Sequence, residues 1–226
     1  MDRDELAGWL RLLLTPGIGN TSARRLMAAF GLPSAVFAQP SASLREVATQ
    51  AQAQALQQIP PELEAQLETT WQWLAAAGAT PRSIITLGDD RYPTALLAME
   101  DPPLLLYALG RTDLWQPASN RSIAIVGSRN PTPQGEANAR QFGKACAQAG
   151  LTVESCLALG VDSAAHLGAL RRASGARDRL ATIAVVGTGL DRVYPRRHLA
   201  LAHRIASQGL LVSEYPLGTP PLPAHF

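Results

Sequence analysis

The sequence predicts an α/β fold, a parallel sheet covered by helices and preceded by a small helical domain, and three observations predict it. Four apolar runs, Ile123–Val126, Leu151–Val153, Ile183–Val186 and Leu210–Val212, alternate with helix-like stretches at about 134–149, 162–173 and 198–208. Alternation of this kind implies parallel strands with helices on both faces of the sheet. Each run also ends in small or polar residues, as strands do where they leave a sheet toward a ligand crevice. Ahead of residue 80 the apolar residues repeat with the helical period instead.

Taken in order, Leu6, Trp9, Leu10, Leu13 and Leu14 mark a first helix. Ala23, Leu26, Met27 and Phe30 mark a second, with the turn Thr15-Pro16-Gly17-Ile18-Gly19 between them. Residues 38–60 are rich in Ala, Gln and Ser, with helical propensity but little apolar order. A further helix over about 62–77 carries Leu63, Leu67, Trp71 and Leu74 and is stopped by Gly78. Ile84–Leu87 and Leu104–Tyr107 are short strand candidates divided by turn-rich segments, and they read as a connector. The expected organisation is therefore a helical domain over 1–80 and an α/β domain over 81–226, with connector 81–120 and core 121–226.

The bulk properties narrow the function. The 226 residues are 46% hydrophobic and 17% charged, enough apolar material for a core and no case for global disorder. A net charge of +2 is too small to hold a polyanion by bulk attraction, so any such binding depends on placed side chains. Those are almost all arginine, a planar bidentate donor, with Lys144 the lone lysine. Two cysteines, Cys146 and Cys156, form neither a disulfide framework nor a metal-ligand spacing, which points to a reducing compartment, the cytoplasm. The acidic start Met1-Asp2-Arg3-Asp4-Glu5 is unlike a signal peptide, and no apolar run reaches bilayer length.

In a parallel sheet the four strand ends share one edge. There the sequence gathers Gly127-Ser128-Arg129-Asn130, Ser155 through Gly160, Gly187-Thr188-Gly189 and Ser213-Glu214-Tyr215. Glycines, hydroxyls, backbone amides and a guanidinium make a phosphate-binding inventory rather than a catalytic one. Arg129 can fork onto a phosphate, or it can cap a helix end or pair with Glu136 or Asp162. Asp162 and His166 could be read as an acid–base pair. Aspartate is however a preferred N-cap, a lone histidine one turn on usually bonds structurally, and no nucleophile completes a relay. His198 and His203 are off the spacing of a helical zinc pair, and no metal or cofactor is expected. Gly187-Thr188-Gly189 opens like a dinucleotide fingerprint, but Arg192 stands where the third glycine belongs, and no P-loop occurs. Gly17, Gly19, Arg24 and Arg25 fit a helix-hairpin-helix phosphate contact or a plain glycine turn between packed helices.

The run Ile123-Ala124-Ile125-Val126-Gly127-Ser128-Arg129-Asn130-Pro131-Thr132 with Gly135 resembles the opening signature of the DprA/Smf family, the DNA-processing proteins of bacterial transformation. Leu157-Ala158-Leu159-Gly160-Val161-Asp162 with Ala165-His166-Leu167-Gly168-Ala169-Leu170 is similar to that family's central motif. Val186 through Asp191 with Tyr194-Pro195, and Ser213-Glu214-Tyr215-Pro216, continue the series. Upstream, Tyr92-Pro93, Asp101-Pro102-Pro103, Tyr107 and Gly110 also resemble it. The resemblance implies an extended Rossmann-like sheet behind a helical domain of helix-hairpin-helix or SAM type. It implies a homodimer that binds single-stranded DNA, loads RecA during natural transformation and does no covalent chemistry. It carries DNA contacts onto Gly127, Ser128 and Arg129, with Ser155 and Gly160 from the second loop; the reading of the rim loops adds Asn130, Gly187 and Thr188, and the hairpin reading adds Gly17, Gly19, Arg24 and Arg25 as a secondary contact. Two departures stand out. Cys156 replaces the family's usual glycine, and the chain stops at Pro223-Ala224-His225-Phe226, before an arginine-bearing segment, so the expected sheet is C-terminally truncated. The competing functions are a phosphoribohydrolase-like nucleotide enzyme, whose PGGxGTxxE motif does not occur here, and a remnant with impaired binding.

Overall fold

The computed structural model describes residues 1–76, 78, 80–115, 121–171 and 179–225. They divide into two compact units, residues 1–76 with 95–105, and 77–94 with 106–226.

In the first unit the helical period is realised as α1 (Arg3–Leu14), α2 (Asn20–Phe30) and α6 (Leu63–Ala75). Asp2 caps α1 by accepting from the Glu5 amide at 2.8 Å, and Gly31 ends α2 with positive φ. The Ala- and Gln-rich stretch supplies three short helices, α3 (Pro33–Phe37), α4 (Ser41–Val47) and α5 (Gln50–Leu56). Each buries one or two side chains, among them Val36, Leu44, Ala53 and Leu56, which is why no periodicity shows in the sequence. A capping box between Thr49 and Gln52 starts α5.

The second unit is built on a six-stranded sheet among the described residues, in the order β1-β2-β6-β5-β4-β3. The strands are β1 (Arg82–Thr86), β2 (Leu105–Gly110), β3 (Ser122–Ala124), β4 (Thr152–Cys156), β5 (Thr182–Val185) and β6 (Leu210–Ser213). The four apolar runs become β3 to β6, all parallel. The two segments read as a connector are strands of the same sheet, with β2 antiparallel to β6 from Tyr107 opposite Ser213 to Gly110 opposite Leu210.

Helices α7 (Pro133–Gln148), α8 (Val161–Ala169) and α9 (Leu199–Gln208) connect the parallel strands. Consecutive strand order with right-handed crossovers lays all three on one face, and α7 packs on α8 and α8 on α9. The expectation of connecting helices on both faces is thereby corrected; it held no information on strand order. Gly143 of α7 faces the Ala165 carbonyl and Gly168 of α8 faces the Arg140 carbonyl, so the two helices meet backbone to backbone. Ala147, Val153, Ala165 and Ala169 fill the space beneath, against Ile125 and Cys146. The helix expected over 162–173 begins one residue early and ends at Ala169. Its positions 172–173, like Ala77 of the helix expected over 62–77, lie outside the described residues.

Candidate nucleic-acid interface

Because β3 to β6 are parallel and adjacent, their carboxyl ends form one rim, and the loops on it fall into two pairs. The β3 and β4 loops are joined directly. The Val161 amide donates to the Ser128 carbonyl at 3.1 Å. Gly160, at φ +79°, lies against that same carbonyl and the Pro131 ring, where no side chain would fit. Ser128 Oγ accepts from the Asn130 amide at 3.1 Å, which folds the loop tip, and Thr132 caps α7 through the Gly135 amide at 3.1 Å.

Arg129 is exposed at this tip and forms no ion pair among the described residues. Glu136, one partner considered from the sequence, pairs instead with Arg140 at 2.8 Å. Asp162, the other, is buried, and its carboxyl accepts from the backbone amides of Gly127 and Ala158. It is not the N-cap of α8; Gly160 holds that position without a side-chain bond. Burial pushes the Asp162 carboxyl above its ordinary value, against hydrogen bonds and Arg129, which pull it down. Ser155 is buried and donates from Oγ to the Ile125 carbonyl at 2.6 Å.

The β5 and β6 loops are closed off. Ser213 Oγ donates to the Thr188 carbonyl at 2.7 Å, and the Tyr215 amide donates back to Ser213 Oγ at 3.0 Å. The segment after β6 then crosses the β5 tip. The Thr219 carbonyl accepts from the Gly189 amide, His225 Nδ1 bonds the Gly187 carbonyl at 3.0 Å, and the His225 ring stacks on Tyr215 at 3.9 Å. Gly187 and Thr188 are therefore buried and their carbonyls engaged, so these two sequence candidates do not stand open beside Gly127, Ser128, Arg129 and Asn130.

His166 is fully buried, with Nε2 donating to the Cys156 carbonyl at 2.9 Å and Nδ1 paired with the Thr182 hydroxyl at 2.7 Å. Desolvation lowers it to about 4. It is a neutral strut between α8, β4 and β5 rather than an acid or base. The Cys156 thiol ends β4 and is exposed; partial burial and then Asp162 push it up, which disfavours the thiolate. Among the described residues no group of three His, Cys, Asp or Glu could hold a metal ion, and no helix is long and apolar enough to cross a membrane.

Sequence reasoning missed Arg196 and Arg197, exposed in the turn after β5. His198 Nδ1 ties that turn to the Leu157 carbonyl of the β4 loop at 2.9 Å, which brings it onto the same rim. The run Pro195-Arg196-Arg197-His198 was the available signal. In the helical unit, Gly17 has φ +75° and its carbonyl accepts from Gln52 Nε2 at 2.8 Å. Arg24 and Arg25 bond the Glu100 and Val47 carbonyls at 3.4 and 2.7 Å, within their own unit.

Residues 83–226 match the family model for DNA recombination-mediator protein A. Protein Smf of Synechocystis sp. is 40% identical over 143 residues, 63% of this chain and 34% of that protein. An X-ray structure of DNA processing protein A (DprA) from Streptococcus pneumoniae superposes with TM-score 0.73 at 26% identity, covering all of this chain and 71% of that one. A DprA structure from Helicobacter pylori, described for its single-stranded DNA binding mode, gives TM-score 0.54 at 30% identity, over 64% of this chain and 60% of that one. The chain spans about a third to a half of the length of the curated relatives it matches. With residues 83–226 matched by the family model and a parallel sheet like that of the solved relatives, the chain belongs to the DNA recombination-mediator protein A family, the DprA/Smf proteins.

Proposed function

We propose that this chain binds single-stranded DNA along the β3 and β4 half of the rim and serves DNA processing in natural transformation as a cytoplasmic, dimeric RecA loader. Arg129 is the primary phosphate contact, assisted by Ser128 and Asn130 at the tip, with Arg196 and Arg197 alongside. Gly127, Ser155 and Gly160 shape the loops rather than reach ligand. The secondary contact at Gly17, Gly19, Arg24 and Arg25 is weaker, because both guanidinium groups already hold backbone carbonyls. One observation carries the reading: an exposed guanidinium that forms no ion pair among the described residues, at the tip of two interlocked glycine-bearing loops. A thiol and a histidine both biased toward their neutral forms favour binding over covalent chemistry.

Anisotropy titration of a labelled oligonucleotide tests it. The expected result is salt-sensitive binding that prefers single strands to duplex, weakened about tenfold by Arg129→Ala, as for loss of one charge-assisted contact. Equal affinity for duplex, or an unchanged Arg129→Ala, overturns it. RecA filament formation on single strands, with and without the protein, reads the loading role separately.

A further inference from the structure

A preference for single strands needs something that phosphate contacts cannot supply. A duplex carries one charge per ~1.7 Å of axis against one per ~3.4 Å for each strand, so guanidinium groups by themselves favour the duplex. What a single strand offers instead is the face of an unstacked base, which in a duplex is covered by the neighbouring pairs. An exposed aromatic ring on the rim is the group that takes such a face. Among the described residues two aromatic side chains are exposed, Phe142 at 64% and Tyr194 at 49%. Phe142 is set aside by its place. Helix α7 leaves the rim at Pro133, and a rise of about 1.5 Å per residue carries Phe142 roughly 14 Å down the helix, into the groove beside β3. Tyr215, just past β6, already has the His225 ring stacked on it at 3.9 Å.

Tyr194 stands in the loop after β5, and Arg196 and Arg197 follow it in a short turn, Arg196–His198. Both arginines are exposed, and neither forms an ion pair among the described residues. The turn is anchored: the His198 amide donates to the Pro195 carbonyl and His198 Nδ1 bonds the Leu157 carbonyl, each at 2.9 Å. Leu157 belongs to the β4 loop, whose Val161 amide holds the Ser128 carbonyl beside Arg129. Two strand spacings, on the order of 10 Å, separate the β3 tip from the β5 tip.

We propose that Tyr194 is the base-stacking platform of the rim, a specificity residue that takes one unstacked base while Arg196 and Arg197 hold the flanking phosphates, and that selectivity for single strands comes from this ring rather than from Arg129. The ligand class is an unpaired nucleobase within a polyanionic strand, of any sequence, because every base has a π face. Arg129 contributes charge and Tyr194 the discrimination. The inference rests on the rim being the DNA site.

The test is anisotropy on wild type, Tyr194→Phe, Tyr194→Leu and Arg129→Ala with three ligands of equal length: a thymine strand, an abasic sugar-phosphate strand and a duplex. Thermal unfolding checks folding. Phenylalanine keeps the ring and is expected to bind as wild type does. Leucine keeps apolar bulk without a π face; it should lose about tenfold on the thymine strand, the scale of one stacked base, and nothing on the abasic strand. The preference for thymine strand over duplex should shrink in Tyr194→Leu and persist in Arg129→Ala, whereas the salt slope should fall in Arg129→Ala alone. A Tyr194→Leu affinity within twofold of wild type on the thymine strand, or an equal loss on thymine and abasic strands, overturns the platform. An unchanged Arg129→Ala with a thymine-only loss in Tyr194→Leu overturns the Arg129 reading and leaves the platform standing; wild type that binds none of the three overturns both. Should Tyr194→Leu fail to fold, photocrosslinking of wild type to a 5-iododeoxyuridine strand decides: a crosslink mapped to Tyr194 supports the platform, and a map without it overturns it.

Discussion

At the scale of single residues, burial decides which polar groups can act. His166 lies beneath the rim and its pKa is lowered to about 4, mainly by desolvation, against about 6.5 in the unfolded chain. The unfolded state therefore binds more protons between those values, and stability rises with pH across them. The contribution is complete above about pH 6.5 and is lost as pH falls toward 4, on the order of 3 kcal/mol. Asp162 works in the opposite sense, because its folded pKa is raised and protonation favours the folded form. Urea unfolding across pH 4 to 7 should show the decline, flattened in His166→Gln; an unaltered slope in that variant would contradict the strut role. Arg129 was readable from the sequence as a guanidinium after an apolar run. The burial of Asp162 was not, since only the fold brings the start of α8 against the β3 loop.

At the scale of elements, close approach between α7 and α8 fixes how β3 and β4 are held. A methyl group at Gly143 would strike the Ala165 carbonyl, a backbone atom that cannot swing away. Gly143→Ala is expected to lower stability by about 1 to 3 kcal/mol, the range for overpacking, read as a lower urea midpoint with unchanged slope. The parallel strands were legible because Ile183–Val186 and Leu210–Val212 are short unbroken apolar runs bounded by turn residues. The place of β1 and β2 was not, because β2 pairs with β6 across a long sequence separation. Thr188 reads in the sequence as part of an open phosphate-binding rim, but it is buried, its carbonyl accepting from Ser213 Oγ of β6.

At the scale of the whole molecule, the order β6-β5-β4-β3 leaves β3 at the edge of the sheet among the described residues. Ile123 is 40%, Phe142 64% and Val126 71% exposed along it. They border an open groove of about 430 Å³ that Ala139 and Cys146 of α7 also line. No charge interrupts Ser122 to Val126, so this short edge lacks the charged side chains that usually guard against pairing with another strand. Sedimentation should show the average mass rising with concentration, and Ile123→Lys should return it toward the single chain; a mass that ignores both would show the edge to be inert. The stacked Tyr215 and His225 roof has a consequence of its own. On the proposed reading, with the β5 and β6 tips covered, a linear polymer would meet two neighbouring strand tips and the Arg196–Arg197 turn beside them, a footprint on the order of 10 Å across the tips. That width would seat two or three phosphates, so one chain's grip would be short and a long strand would be held more firmly by several copies in a row.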